Sequence, residues 1–275
     1  MAKFITRYPL SHFDELEPLL LRCFPDFWKS RLKRGLGSFP YDLKLFTAKL
    51  DGQMTGMVGI HNYQFLLNGR ITICGGLSDV GVDPDFRGRG IAAEMQEFAL
   101  EYCRKTFPCP MMPLYTDKPG VYLSRGWQLY EPDRSGEIRT EDFPKRNAFR
   151  LDFRKIRPGN PEWKIYLNIL RIYREGQEFN GKCMRSTETW RELFAEPEHE
   201  WVLEENTWYL YRKDRLLEAY SADPGHPVRQ FVPVQGGHNE NKLMLNLQDP
   251  ERESMRETKK AIGNGKLLFP IADTF

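Results

Sequence analysis

The amino-acid sequence predicts an α/β (α+β) chain in two parts. The first is a mixed, largely antiparallel twisted sheet flanked by helices, and the second is a smaller α/β module. Three observations carry that expectation. Residues 45–82 read as successive strands joined by turn dipeptides. After Pro84 the apolar period changes from two to about 3.6. Arg157-Pro158-Gly159-Asn160-Pro161 is the best linker candidate in the chain. At about 150 residues per domain, 275 residues accommodate two, and the expected domains are 1–155 and 160–275.

In chain order, residues 3–6 read as a first strand. Ser11, three residues before Asp14, resembles a capping box and opens a helix running toward Cys23. Pro18 kinks that helix or marks a later start. FPDFWKSRLKRGLGSFPY (24–41) reads either as a short helix and a loop over a pocket, or as surface packing of Phe24, Phe27 and Trp28. Residues 45–50 form a strand, Asp51-Gly52 a hairpin turn and 54–63 the returning strand. Asn68-Gly69 supplies a second turn and 71–82 a third strand. Gly56, Gly59, Gly75, Gly76 and Gly81 inside these strands point to bulges or close backbone approach.

Ile91, Met95, Phe98, Ala99 and Tyr102 mark one face of a helix over 90–105. Residues 111–116 are a strand, 121–125 a helical turn ended by Gly126, and 127–130 a further strand. Residues 148–153 are placed to close the sheet. Beyond the linker, 162–176 and 186–194 are helical, 201–205 and 207–212 form a hairpin around Asn206, and 216–221 is a strand. Residues 242–247, a helix near 250–261 and residues 266–269 complete the chain. A helix pair followed by a meander repeats the element order of the first half.

Composition removes several classes. Lys+Arg 40 against Asp+Glu 38 leaves a net +2, so no polyanion partner is called for, and nucleic acid is not expected. The one dense basic cluster, 29–34, reads as a solvated helix face. No apolar run approaches the ~20 residues of a membrane span. Asp14, Glu15 and Glu17 stand where a signal peptide needs its apolar region, so a cytoplasmic protein is expected. Cys23, Cys74, Cys103, Cys109 and Cys183 are scattered and odd in number, unlike a disulfide framework. Neither the cysteines nor the five histidines show metal-ligand spacing, so no metal is expected.

The chemistry-bearing segment is Val80-Gly81-Val82-Asp83-Pro84-Asp85-Phe86-Arg87-Gly88-Arg89-Gly90-Ile91-Ala92-Ala93. It joins a strand to an amphipathic helix through a Gly-rich turn. Such a turn presents unpaired N–H groups at the positive end of the helix dipole, which suits a phosphate. Gly88 and Gly90 admit close approach, and Arg87 and Arg89 add charge-assisted donors. A Rossmann fingerprint is set aside because an antiparallel meander precedes the turn. A Walker loop is set aside because Gly-Lys-Ser/Thr is absent.

Arg87-Gly88-Arg89-Gly90-Ile91-Ala92, preceded by Val82-Asp83-Pro84, resembles the Arg/Gln-x-x-Gly-x-Gly/Ala signature of the GCN5-related N-acetyltransferases (GNAT). Meander, signature, helix and next strand follow in that family's order over residues 40–130. The resemblance implies an acetyl-CoA site in which the backbone of Val80, Gly81 and Val82 pairs with the pantetheine arm. The amides of Gly88, Arg89, Gly90, Ile91, Ala92 and Ala93 would hold the pyrophosphate. It also implies that the strand carrying 77–83 splays from the one carrying 111–116, with the thioester in the opening.

Tyr122, followed by Arg125-Gly126-Trp127, stands where GNAT enzymes commonly carry a tyrosine. A phenol of pKa about 10 within reach can protonate a departing thiolate of pKa roughly 8.5–10. Tyr122 is therefore the candidate acid; Tyr115 and Tyr130 are rivals, and a packed aromatic with a satisfied hydroxyl is the competing reading. Gly120-Val121-Tyr122-Leu123-Ser124-Arg125-Gly126-Trp127 is similar to the Eis-type branch, which fuses an active module to a degenerate second one. In that branch the chain-terminal carboxylate serves as base, which implies a role for Phe275. This chain is much shorter than that branch, and its second module is curtailed. The base is left open among the Phe275 carboxylate, Asp79 and water relayed through backbone carbonyls. Asp79 equally reads as a solvated or capping residue.

The resemblance thus implies an N-acetyltransferase using acetyl-CoA and no metal. Its acceptor would be an amine of a small molecule, aminoglycoside-like in the Eis-type case, attacking directly in a ternary complex. Asp26, Asp79, Asp117 and the C-terminal carboxylate are the groups that would attract a polycation. A protein or peptide acceptor, and a non-catalytic CoA-binding regulatory protein, are the alternatives.

Overall fold

The structure is a computed structural model that describes residues 4–8, 13–26, 28–29, 43–67, 70–109, 111–130, 143, 145, 147–176, 182–185, 187–226 and 242–247. The chain divides into two compact units. The first takes in Met1–Gln64, Thr72–Leu129 and Leu243–Arg256, and the second Phe65–Ile71, Tyr130–Lys242 and Glu257–Phe275.

In the first unit, β1 (Phe4–Tyr8), β2 (Lys44–Leu50), β3 (Gln53–Leu67) and β4 (Arg70–Val82) lie side by side in sequence order. β1 pairs antiparallel with β2, and β2 with β3. The β2–β3 turn is Asp51-Gly52, with φ of 51° and 80°. Two successive positive φ values are what a two-residue hairpin of matching twist requires, and Asp-Gly accepts them. The second expected turn, Asn68-Gly69, lies outside the described residues.

Helix α1 (Phe13–Cys23) runs through Pro18 rather than starting after it. Leu16, Leu19 and Leu20 bury one face against Leu43, Leu45 and Met57. Trp28, 1% exposed, joins this cluster, so it is a core residue and not surface packing. The N-cap Ser11 and Phe27 lie outside the described residues.

α2 (Ile91–Thr106) buries Ile91, Met95, Ala99 and Cys103, a stripe at every fourth residue, against Phe46, Val58, Ile60 and Leu77. Its outer face carries the exposed Glu101–Lys105 pair. β5 (Met111–Thr116), the short helix α3 (Gly120–Leu123) and β6 (Trp127–Leu129) follow.

Residues 148–153 do not close the sheet as expected. Phe149 forms a bridge to Trp201 instead, exchanging hydrogen bonds of 2.9 and 2.8 Å, and residues 153–155 form a 3-10 turn. The reason is burial: Phe149 and Leu151 pack into the aromatic core of the second unit. The strand that stands between β5 and β6 comes from 113 residues beyond β6: it is β11, Lys242–Leu247. β11 runs antiparallel to β6, pairing Met244 with Leu129, Leu245 with Gln128 and Asn246 with Trp127.

In the second unit α4 (Pro161–Glu175), β7 (Lys182–Met184) and α5 (Thr187–Ala195) precede a three-stranded antiparallel sheet. Its strands are β8 (His199–Leu203), β9 (Thr207–Arg212) and β10 (Arg215–Ser221). β7 was not expected from the sequence. The core is aromatic, with Tyr173, Trp190, Phe194, Trp201, Trp208 and Tyr220 in mutual contact. Arg185 is enclosed there, its guanidinium bonded to both Glu218 oxygens at 2.6 Å and 5.0 Å from the Trp190 ring. A fully buried charge persists only when paired and hydrogen-bonded in this way. Among the described residues, no helix is long and apolar enough to cross a membrane.

Candidate acetyl-CoA site

The turn from β4 to α2 is built by Asp83. Its N–H donates to Thr55 O at 2.9 Å, and its side chain accepts from the Asp85 N–H at 3.0 Å, capping the 3-10 turn Pro84–Phe86. Arg22, at the end of α1, donates to Asp83 at 2.8 Å and also bonds Asp85. The chain then passes Gly88 and Gly90, both at φ +76°, into α2. Gly90 occupies the N-cap position and offers no side-chain cap. The first N–H groups of α2 are therefore left without an intrahelical or side-chain partner at the helix start. No atom lies within 4 Å of a Cβ built on Gly88 or Gly90, so the turn is open on that side.

Arg87 and Arg89 are already engaged with their own loop. Arg87 Nε donates to Val82 O at 3.2 Å, and Arg89 Nη2 to Asp85 O at 3.3 Å. The Arg89 guanidinium also lies 4.9 Å from the Phe86 ring centroid. Both arginines thus shape the turn, and Arg87 retains its two Nη groups for a ligand.

β4 is the last strand of its sheet, and β5 belongs to another. The two touch at one end, where the Cys109 N–H donates to Ile73 O at 3.3 Å, and share no ladder beyond it among the described residues. Among the described residues the outer edge of Val80, Gly81 and Val82 has no strand neighbour. Behind that edge Gly81 is pressed on α1: a Cβ would sit 2.9 Å from a Phe24 ring carbon and 3.1 Å from Cys23 Sγ. Only glycine fits there.

Asp79 adopts φ +48° inside β4. The alternation of side chains slips at this point, since Leu77, Val80 and Val82 all pack on the core beneath α2. Ser78 Oγ donates to Asp79 Oδ2 at 2.9 Å. A Cβ on Gly59 of the neighbouring strand would lie 2.6 Å from Ser78 Oγ and 3.0 Å from Asp79 Oδ2, so glycine makes room for this carboxylate.

Tyr122 sits on α3 and packs on the same core as Val80 and Val82, edge-on to Trp127 at 5.9 Å. Its hydroxyl is hydrogen-bonded to Thr116, whose Oγ1 also accepts the Lys118 N–H at 2.9 Å. Burial pushes the phenol up to about 12, the Asp117 charge adds to the rise, and the Thr116 hydrogen bond opposes it. Burial likewise pushes the Cys23 thiol up to about 11 and the Cys103 thiol to about 12, which leaves both protonated at neutral pH. Phe275 lies outside the described residues, as do residues 250–261 and 266–269. Among the described residues no group of three His, Cys, Asp or Glu is placed to hold a metal ion.

Arg22 and Asn246, which act on this region, carried no local signal in the sequence, whereas Gly59 was legible as a close approach and Phe24 as an aromatic for packing, without their partners. Each reaches it from another element, and periodicity and short motifs report only neighbours along the chain.

An edge strand running into a Gly-rich helix start, beside a short helix that carries a half-buried phenol, is the arrangement of a GNAT-type fold. Residues 26–130, less than half of the chain, match the family model described as an acetyltransferase (GNAT) domain. No curated protein matches the chain significantly. Among solved structures it is similar to a GCN5-related N-acetyltransferase from Kribbella flavida, at 14% identity and a TM-score of 0.55, over 90% of this chain and 72% of that one. It is similar to a probable N-acyltransferase from Enterococcus faecalis V583, at 17% and 0.57, over 81% and 59%. It is also similar to Eis1 from Mycobacterium abscessus, at 14% and 0.54, over 83% and 61%. The chain thus spans 59% to 72% of the length of these three structures. At such identities the likeness is one of fold. The family supports acetyl-CoA-dependent acetyl transfer as the general chemistry.

Proposed function

We propose that this protein is an N-acetyltransferase that passes the acetyl group of acetyl-CoA to a primary amine of a small molecule. The observation that carries the reading is the shared core. Val80, Val82 and Tyr122 pack on one cluster, at the open edge of β4 that leads into the glycine turn. A thioester whose pantetheine extends β4 as an added strand has its pyrophosphate at Gly88, Arg89, Gly90, Ile91, Ala92 and Ala93, with Arg87 alongside.

The amine nitrogen attacks the thioester carbonyl in a ternary complex. A C–N bond forms, the C–S bond breaks, and the oxyanion is met by backbone N–H near Val82. Tyr122 gives its proton to the leaving thiolate. Transfer from a phenol raised to about 12 to a thiolate of ordinary pKa near 8.5 is uphill by roughly 5 kcal/mol. A thiolate that leaves into apolar surroundings has its own pKa raised as well, which narrows that difference. The amine loses its proton to Asp79, to the Phe275 carboxylate, or to water.

Asp79 beside Ser78 favours a cationic acceptor, since the overall charge of +2 offers it no general attraction. An aminoglycoside-like polyamine is the acceptor that the Eis-type resemblance implies, and the second unit is read as a curtailed GNAT-like module. Calorimetry with CoA, followed by thiol release from acetyl-CoA across polyamines, aminoglycosides and peptides, tests the reading. It expects CoA binding and release that depends on a small amine. Absence of CoA binding, or release that peptides alone accelerate, overturns it.

A further inference from the structure

We infer that Asn246 is a positioning residue for the Tyr122 phenol, so that β11 completes the acetyl-transfer site. The inference rests on the reading of Tyr122 as the acid.

A continuous set of bonds leads from one residue to the other. The Arg125 N–H donates to Tyr122 O at 2.9 Å. The Arg125 carbonyl, in turn, accepts from Asn246 Nδ2 at 3.1 Å. This carbonyl follows the end of α3, where a helix leaves its last carbonyls without internal partners, and Asn246 supplies the donor. The next residue, Gly126, turns the chain at φ +76°, and a Cβ there would lie 3.5 Å from the same Asn246 nitrogen. Asn246 then stands opposite Trp127 in the β6–β11 ladder, and Trp127 is the ring against which Tyr122 rests.

Asn246 is 6% exposed, and a buried amide at this place has one evident task. It holds the loop between Tyr122 and Trp127 through the Arg125 carbonyl. Leucine has its volume but no donor. Ionised aspartate has its shape but sets a negative oxygen against the carbonyl. A second tie, Arg125 Nη1 to Glu97 Oε1 at 2.8 Å, anchors the same residue to α2, so Asn246 governs fine placement and not the existence of the turn.

The test is a double-mutant cycle on the full chain, with thiol release from acetyl-CoA to the best amine of the panel. Asn246→Asp and Asn246→Leu are made with and without Tyr122→Phe, and Leu245→Val serves as a strand-packing control. Leu245 is buried in β11 but does not contact the Arg125 carbonyl through a hydrogen bond. The expected result is a fall in kcat of about tenfold or more for both Asn246 variants, the scale of a sub-ångström to 1 Å misplacement, with KM for acetyl-CoA unchanged. In the Tyr122→Phe background the Asn246 variants cause no further fall. Leu245→Val lowers Tm without lowering kcat.

Additive losses in the cycle overturn the inference, as does an equal kcat loss in Leu245→Val at a matched Tm. If Tyr122→Phe lowers kcat while the Asn246 variants do not, positioning fails and the acid assignment stands. If Tyr122→Phe keeps full activity, the acid assignment itself fails and takes positioning with it.

Discussion

Replacing Gly90 with alanine tests the phosphate turn most directly. Gly90 stands at φ 76°, ψ 4°, the left-handed region, and no atom lies within 4 Å of the added Cβ. The cost is therefore conformational and not steric, about 1–2 kcal/mol for an L-residue. Two responses are open to the chain. It retains the left-handed turn, and Tm falls by roughly 2–8 °C for a protein of this size. Or it relaxes φ to negative values, which rotates the peptide groups at the start of α2 away from a bound pyrophosphate. The Kd for CoA then rises about tenfold for each 1.4 kcal/mol shifted from folding to binding. Differential scanning fluorimetry and calorimetry with CoA read the two together, and their combined loss is at least about 1 kcal/mol. Asparagine, which tolerates this region better, gives a smaller loss. Gly120→Ala is the control: it too meets nothing within 4 Å, but its φ is not positive, so it leaves Tm unchanged or raises it. Wild-type Tm and Kd in Gly90→Ala, or equal damage in Gly120→Ala, refutes the reasoning.

Three further outcomes follow from the geometry. Asp79→Asn keeps the tolerance for φ +48° and removes the charge, so Tm holds while kcat with cationic amines falls, whereas Asp79→Ala lowers Tm as well; full activity in Asp79→Asn on a polyamine removes Asp79 as base or acceptor contact. Arg22→Gln leaves the buried Asp83 carboxylate without its cation, weakening CoA binding severalfold and lowering stability slightly, as for an exposed cation; unchanged CoA calorimetry and urea melts count against its part in the turn. Tyr8, Tyr122 and Tyr211 are pushed up to about 12, chiefly by burial, so above about pH 10 the unfolded chain loses phenolic protons that the folded chain keeps. Stability therefore falls as pH rises from about 10 toward 12, and urea midpoints that stay level across that window contradict the burial assignment.

Local features were legible where local physics settles them. The stripe Ile91, Met95, Ala99, Cys103 announces α2 by its spacing, and Asp51-Gly52 announces its hairpin because both residues accept positive φ. Gly88 and Gly90 were readable as a permissive turn for the same reason. The slip at Asp79 was not, because one extra residue in a strand leaves the apolar pattern of Leu77, Val80 and Val82 ambiguous until their common core is seen. Residues 148–153 carry a strand-like pattern that two sheets would accept equally, and the aromatic core of the second unit took them.

The sequence by itself determined the GNAT-type fold class, the glycine turn after β4 and the candidate phenol on α3, since each is written in adjacent residues. Only the tertiary structure decided which segment stands between β5 and β6. Strand pairing depends on where distant segments meet, and nothing within Lys242–Leu247 names its partners. The same is true of Arg22 on Asp83 and of Asn246 on the Arg125 carbonyl, contacts spanning 61 and 121 residues. A side chain's hydrogen-bond partner is chosen by the packing of whole elements, and that packing exists only once the chain has folded.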